Sequence, residues 1–191
     1  MKRNSFLQTL IAPAALLITP VWARARSWIG SREVKGFRVE AGKDRAGKSI
    51  RLFEGDTFYT KVSTQDTDGD IFVFESTRLK EGGPPLHFHY EQDEWWYILQ
   101  GEFLFRVGDE TFRAKAGDSV FGPRRVPHAF AKVGEGEARL LMFFQPAGKM
   151  EANFLAISEG VTANMTEAER KAFRKEHGLE VVGPPITHLK Q

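Results

Sequence analysis

The stretch PPLHFHYEQDEWWYILQGE, residues 84–102, contains two of the five histidines in this chain of 191 residues. His87 and His89 are separated by one residue, in a segment whose aromatic and aliphatic composition predicts a β-strand. Residues two apart in a strand project from the same face, about 6.5–7 Å apart. We therefore expect the two imidazoles to share one face of the strand, with Leu86 and Phe88 on the other.

Two imidazoles on one face can bind the same metal ion through ring nitrogens at about 2.0–2.2 Å. After a polar bend at 90–93 the chain returns with Glu94 at the start of the next predicted strand, which places a carboxylate beside both rings. His128 opens a later predicted strand and offers a third imidazole. Taken alone, His128 is more typical of a surface or hydrogen-bonded core position than of a ligand, and the pair His87 and His89 does not decide between the two, so the hypothesis of a metal site depends on the whole set.

Short predicted strands separated by turn signals continue on both sides of this stretch. The segments are 49–54, 57–63, 70–78, 86–90, 94–100, 102–107, 111–114, 119–121 and 138–145, together with the strand that His128 opens. Regular spacing without helices between the strands predicts an all-β fold, an antiparallel barrel or sandwich rather than βαβ units.

The spacing of these residues resembles the two motifs of the cupin superfamily. The first motif is matched by His87, His89, Glu94 and Gly101, and the second by Gly117, Pro123 and His128. The resemblance spans residues 50–146 and implies a single small jelly-roll β-barrel at 49–146. It also implies one divalent transition metal, bound by His87, His89, Glu94 and His128. Imidazole and carboxylate ligands suit Fe, Mn, Ni, Co, Cu or Zn, so the identity of the metal stays open.

The second motif departs from the cupin pattern at two positions. Arg125 stands where cupins usually have glycine, and Lys132 stands where they usually have asparagine. Neither position is a ligand, so the departures bear on the shape of the loop. Arg124 and Arg125 are candidates for holding an anionic group of a substrate, although solvent-exposed loop charges are the simpler interpretation.

Within the superfamily, residues 84–102 and the late HGLEVVGPP segment are similar to single-domain, quercetinase-like (cupin type-2) proteins. This resemblance implies a metal-dependent dioxygenase acting on an enolic or phenolic small molecule. Glu94 would act as a catalytic base if the substrate loosened it from the metal and its pKa rose. The alternatives are a non-redox isomerase or lyase acting on a sugar-derived acid, and a non-catalytic cupin that binds small molecules. Whether the chain is an enzyme therefore stays open.

Strand alternation places Trp96, Ile98 and Gln100 on the same face as Glu94, inside the barrel. Core packing is the simpler interpretation of these side chains. The functional hypothesis is that Trp96, Ile98 and Phe130 form the wall of a pocket for a flat organic ligand.

The first 25 residues differ from the rest. Lys2 and Arg3 precede an apolar run at 6–21, and Ala-Arg-Ala follows at 23–25, which is the pattern of a signal peptide at 1–25. The prediction is an exported protein, periplasmic or secreted. A membrane anchor and an amphipathic helix are the alternatives.

Charge and cysteine content exclude several classes of protein. The net charge is 27 − 25 = +2, and cleavage after residue 25 would remove three cations and leave −1. No basic stripe supports a nucleic-acid partner, and no membrane association is expected after cleavage. The absence of cysteine rules out disulfides and zinc–thiolate sites. The expected partners are a small-molecule substrate and, through barrel edges, a second copy in a homodimer.

Outside the barrel, residues 26–48 are predicted to form a linker or first edge segment, and 147–191 to form C-terminal helices and an extended tail. One helix is expected at 150–157. A second begins at a capping box formed by Thr166 and Glu169 and ends at Gly178. This helical appendage carries His177 and His188, to which no function is assigned.

Overall fold

The computed structural model describes residues 35–52 and 55–186. The predicted signal peptide at 1–25 and His188 lie outside these residues. The described part of the chain contains eleven strands, two α-helices and one 3-10 helix. In order they are β1 (Ile50–Leu52), β2 (Asp56–Val62), the 3-10 helix (Thr64–Thr67), β3 (Phe72–Arg78), β4 (Pro85–His89), β5 (Asp93–Gln100), β6 (Glu102–Val107), β7 (Glu110–Lys115), β8 (Ser119–Gly122), β9 (His128–Val133), β10 (Ala138–Gln145), α1 (Met150–Ser158), α2 (Glu167–Glu176) and β11 (Leu179–Pro185). The all-β fold with C-terminal helices is confirmed. None of the helices described is long and apolar enough to cross a bilayer.

The strands form two antiparallel sheets. The six-stranded sheet has the order β1-β2-β3-β10-β5-β8, and the five-stranded sheet has the order β11-β4-β9-β6-β7. Strands that are distant in sequence pair within each sheet, such as β3 with β10 in the first and β4 with β9 in the second. Consecutive hairpins alone would not bring the two cupin-like motifs together, whereas the pairs β4 with β9 and β5 with β8 do.

An aromatic core fills the space between the sheets. Trp96 from the six-stranded sheet lies with its ring centroid 5.4 Å from that of Phe105 and 6.0 Å from that of Phe130, both on the five-stranded sheet. The burial of β6 alternates residue by residue because one of its faces meets this core. Full burial of each large apolar side chain stabilises the fold by about 1.5–3 kcal/mol.

Strand β5 follows the predicted alternation over most of its length. Trp96 and Ile98 are fully buried, while Tyr97 and Leu99 are exposed. Gln100 was predicted to face the interior, and this prediction is wrong because Gln100 is exposed. The register between β5 and β10 shifts at this end, between Arg139 and Leu140, and a bulge of this kind changes the face on which a side chain emerges.

The C-terminal segment packs against the sheets. Helix α2 begins at the predicted capping box, in which Thr166 accepts a hydrogen bond from the Glu169 amide at 3.3 Å and Glu169 accepts one from the Thr166 amide at 2.7 Å. After Gly178 the tail forms β11, which pairs with β4. Leu179 lies opposite His89, and Val181 lies opposite His87. The tail therefore completes the edge of the sheet that carries the two histidines.

Candidate metal centre

The two sheets both supply residues to one buried site. His87 and His89 project inward from β4, and His128 begins β9 directly opposite His87 in the strand register. Glu94 comes from β5 in the other sheet. The exposed fractions are 7% for His87, 2% for Glu94 and zero for the other two histidines. The four residues predicted to bind metal are thus brought together between the sheets.

The ligand atoms of these residues fit a single ion. One ligand atom from each of the four lies within 4.8 Å of the others. Two ligands on opposite sides of an ion, each at about 2.1 Å, would be about 4.2 Å apart, so small side-chain adjustments are enough. Glu94 Oε2 lies 3.0 Å from His89 Nε2 and 3.1 Å from His128 Nε2. Three imidazoles and one carboxylate in a buried cluster suit a divalent transition metal, whose identity these ligands do not select.

Backbone carbonyl groups orient two of the imidazoles. His87 Nδ1 donates to the Pro85 carbonyl at 2.8 Å, and His128 Nδ1 donates to the Val126 carbonyl at 2.9 Å. The proton held on Nδ1 leaves the Nε2 lone pair of His87 available for a metal ion. Nε2 of His128 faces Glu94 Oε2, so a metal ion there would replace the proton that these two atoms share. Nδ1 of His89 is buried and has no hydrogen-bond partner within the described residues.

The electrostatics favour the protonation states that bind metal. Burial lowers the pKa of His87 to about 3, and the neighbouring His89 and His128 act in the same direction. Burial raises the pKa of Glu94, but hydrogen bonds from His128 and His89 outweigh this and bring it to about 2. At neutral pH the site therefore holds a neutral His87 and an ionised Glu94, which are the metal-binding forms.

Gly122 supports this site, and the sequence reasoning missed its role. It lies opposite Glu94 in the pairing of β5 with β8. A Cβ at this position would lie 2.8 Å from the Trp96 ring and 3.2 Å from His128 Nδ1. Glycine therefore allows both the core tryptophan and a metal ligand to approach the backbone. The signal available in the sequence was a glycine directly before Pro123 of the second motif.

The loop between β8 and β9 explains the first departure from the cupin pattern. Arg125 has a φ of 65°, in the left-handed region where glycine is favoured. Its amide donates to the His89 carbonyl at 2.7 Å and its Nε donates to the Tyr90 carbonyl at 3.1 Å. Arg125 thus occupies a conformation that favours glycine, and its hydrogen bonds hold the loop to the end of β4.

The charges of this loop are paired with the acidic bend that follows β4. Arg124 contacts Asp93 at 2.7 Å, and Arg125 contacts Glu91 at 2.9 Å. Neither arginine is among the residues that line the cavity beside the metal site. This placement favours the interpretation of Arg124 and Arg125 as solvent-exposed loop charges over a role in holding an anionic substrate group. At the second departure, Lys132 is buried and donates a hydrogen bond to the Gly134 carbonyl.

A cavity of about 530 Å³ opens beside the metal site, and His87 and Glu94 form part of its lining. Its wall is largely apolar and comes from both sheets and both helices. The large apolar lining residues include Phe58, Phe130, Met142, Phe144, Phe154 and Phe173. Of the three residues proposed for a substrate pocket, Phe130 lines the cavity, whereas Trp96 and Ile98 do not and lie in the packed core. The contribution of α1 and α2 was missed, because strand alternation carries no information about a distant helix.

Comparison with known proteins agrees with this geometry. Residues 74–144 match the family model described as "Cupin domain". The chain contains a cupin domain. All four metal-ligand candidates fall within the matched segment. This cupin is 29% identical over 131 residues to polyketide synthase CurC of Streptomyces cyaneus, a match that covers 65% of this chain and 80% of the relative.

Quercetin 2,3-dioxygenase of Bacillus subtilis is a distant homologue of this cupin, 23% identical over 136 residues. The match covers 71% of this chain and 40% of the relative. The chain spans only about half or less of the length of two curated relatives that it matches, 49% and 40%. Among solved structures, KdgF from Halomonas sp. has a TM-score of 0.50 at 18% identity, covering 59% of this chain and 94% of KdgF. This likeness shows the fold.

Proposed function

We propose that this cupin is a metal-dependent dioxygenase that acts on an enolic or phenolic small molecule. One observation carries the proposal: a largely apolar cavity of about 530 Å³ opens directly onto a buried cluster of three histidines and one glutamate. The distant homology to a quercetin dioxygenase supports the same reaction class. Cavities of this size and lining are typical of sites for small organic ligands.

His87, His89, Glu94 and His128 would hold the divalent metal. When bound, the metal acts as a Lewis acid that makes an enol or phenol oxygen easier to ionise. Since His87 and Glu94 are both ligand candidates and lining residues, a ligand in the cavity reaches this centre without any rearrangement of the strands.

The aromatic wall suits a flat organic ring. Phe144 lies with its ring centroid 5.2 Å from that of His89, so the apolar wall continues up to the metal ligands. Phe154 on α1 lies with its ring centroid 6.1 Å from that of Phe144 and makes an edge-to-face contact with Phe58 at 5.2 Å, so the aromatic wall continues from the metal ligands to the helix. A ring held among these side chains would exclude water from the centre, which strengthens every electrostatic interaction there.

Glu94 has its main role as an anionic ligand. Its pKa of about 2 means that the carboxylate accepts a proton reluctantly while His89 and His128 hydrogen-bond to it. A role as catalytic base would require the substrate to break those contacts, because loss of the hydrogen bonds leaves burial as the dominant influence and raises the pKa. The base role stays a prediction.

An isomerase or lyase acting on a sugar-derived acid is the second candidate. The observation in its favour is the presence of buried Arg78 and the helix residues Arg170 and Arg174 in the lining. The predominance of phenylalanine and methionine in the same wall argues for the dioxygenase, because a sugar presents hydroxyl groups that this wall leaves without hydrogen-bond partners.

Oxygen uptake tests the proposal. The full chain, stripped with a chelator and reloaded separately with Fe, Mn, Ni or Co, would be assayed in an oxygen electrode with flavonols, catechols and 1,3-diketones, including members that carry a carboxylate. We expect uptake with at least one metal form, and its loss in His128→Ala. His177→Ala is the matched control, since His177 caps α2 and is not a ligand candidate. Binding of these compounds without oxygen uptake in any metal form would contradict the dioxygenase and favour a binding or non-redox role.

A further inference from the structure

Arg78 is a buried cation inside the cavity. It is the last residue of β3, it is 5% exposed, and it lines the cavity together with His87 and Glu94. Its guanidinium carbon lies 4.6 Å from the centroid of the Phe130 ring. An arginine that stacks on an aromatic ring keeps its planar set of N–H donors available at the edges.

The charge of Arg78 is incompletely paired. Its Nη1 lies 2.9 Å from a carboxylate oxygen of Asp56, while its Nε is buried without a hydrogen-bond partner among the residues described. Burial lowers the pKa of Arg78 and raises that of Asp56, in each case against the attraction between the two groups. A guanidinium offers five N–H donors, and the Nε–H of Arg78 is one that the described contacts leave without an acceptor.

The surrounding charges also favour an anion. Among the described lining residues, four cations (Arg78, Lys80, Arg170 and Arg174) face three acids (Asp56, Glu81 and Glu94), and Glu167 pairs with Arg170 and Arg174 from outside the wall, so the net charge is 4 − 4 = 0. A divalent ion at the metal site would raise this to +2. In a largely apolar cavity such an excess of positive charge attracts a negatively charged ligand.

A second buried polar group in the same wall lacks a partner. Asn153 on α1 lines the cavity, is 4% exposed, and has no hydrogen-bond partner for Oδ1 among the described residues. A buried polar atom without a partner costs about 1–3 kcal/mol. The cavity therefore has polar groups of its own besides the metal ligands.

We propose that Arg78 binds a carboxylate of the natural ligand, so that the cavity selects an organic acid whose apolar body lies against Phe130, Phe144 and Phe154. This inference rests on the cavity being the substrate site of the proposed function, but it does not depend on oxygen chemistry. It narrows the substrate class from enolic or phenolic compounds to those that carry an acid group.

A matched pair of probes tests this assignment by calorimetry. 3-Phenylpropionate and 3-phenylpropan-1-ol share one apolar body and differ in the carboxylate. We expect both the metal-loaded and the metal-free full chain to bind the acid about tenfold or more tighter than the alcohol, the effect of a charge-assisted hydrogen bond. Arg78→Met should remove this preference and Arg78→Lys should retain part of it. Arg113→Met, which removes an exposed arginine that does not line the cavity, should leave it unchanged.

Several results would overturn the assignment. One is a wild-type protein that binds neither probe or shows no preference for the acid. Another is a preference that persists in Arg78→Met, or that disappears from the wild type when the metal is removed, because the metal would then be the anion's partner. Circular dichroism and alcohol binding verify that Arg78→Met is folded.

If Arg78→Met does not fold, the same binding measurements on Asp56→Asn test the assignment. It removes the competing acid, so we expect acid binding to tighten several-fold with alcohol binding unchanged. Unchanged or weaker acid binding would overturn the assignment. Because every readout is binding, a failure of oxygen uptake would contradict the dioxygenase and leave the role of Arg78 standing.

Discussion

Replacing Gly122 with alanine adds one methyl group at the point where the core and the metal site meet. The new Cβ would lie 2.8 and 2.9 Å from two carbon atoms of the Trp96 ring and 3.2 Å from His128 Nδ1. Carbon atoms at optimal separation are about 3.5–4.0 Å apart, so either the tryptophan or the backbone has to move.

The tryptophan has little room to move. It is fully buried, and its ring centroid lies 5.3–6.0 Å from those of His128, Phe105 and Phe130. Overpacking of this kind costs about 1–3 kcal/mol. At about 2–4 °C per kcal/mol for a chain of this size, the expected decrease in melting temperature is about 2–12 °C. Displacement of His128 from its contact with the Val126 carbonyl should weaken metal affinity about 10–100-fold.

Two measurements separate these effects. Urea unfolding of the metal-free protein gives the change in stability, and competition with a chromophoric chelator gives the metal affinity. Gly36→Ala is the matched control, because no atom lies within 4 Å of its added Cβ. A Gly122→Ala protein with wild-type stability would refute the packing argument, and wild-type metal affinity would refute the coupling of Gly122 to His128.

Three further outcomes follow from contacts elsewhere. Metal-free protein should lose stability as the pH falls from 6.5 towards 3, because His87 takes up a proton in the unfolded chain but stays neutral in the folded one. Glu94 adds to this loss at lower pH, because its pKa is also lower in the folded chain than in the unfolded one. Urea unfolding at pH 7 and pH 5 should show a loss of about 2 kcal/mol from His87 alone, and a flat profile would contradict burial of neutral imidazole. Arg125→Gly should be more stable than Arg125→Ala by about 1–2 kcal/mol, since only the alanine carries a Cβ at positive φ; equal melting temperatures would argue against that backbone. Thr166→Ala should lower the free energy of unfolding by about 1 kcal/mol through loss of the capping box with Glu169, and it should leave metal affinity unchanged. A change in metal affinity in the chelator assay would contradict the expectation that the start of α2 does not affect the metal site.

The sequence predicted the metal-ligand candidates well because their positions depend on short-range rules. Alternation along β4 places His87 and His89 on one face, and the paired motifs then identify Glu94 and His128. The alternation is fixed within a few residues of the chain, whereas the approach of His128 to His87 comes from the long-range pairing of β4 with β9.

The cavity was predicted less well because its wall is a property of the tertiary structure. Trp96 and Ile98 do face the interior, and both side chains lie in the packed core. Most interior side chains of a small barrel pack against one another, and only some of them line the cavity. Nothing in the sequence singles out Arg78, because an arginine at the end of a strand carries no local signal that it will be buried. Export, processing at 1–25 and a homodimer stay predictions.

The pairing of β11 with β4 has a consequence for biosynthesis. Within the described residues, β4 is paired on its other side with β9 only at His87 and His128. A nascent chain that has emerged as far as residue 146 already contains all four ligand candidates. It does not yet contain β11, which pairs with β4 and places Leu179 opposite His89. We therefore expect high-affinity metal capture to follow the synthesis of residues 147–185, which include β11.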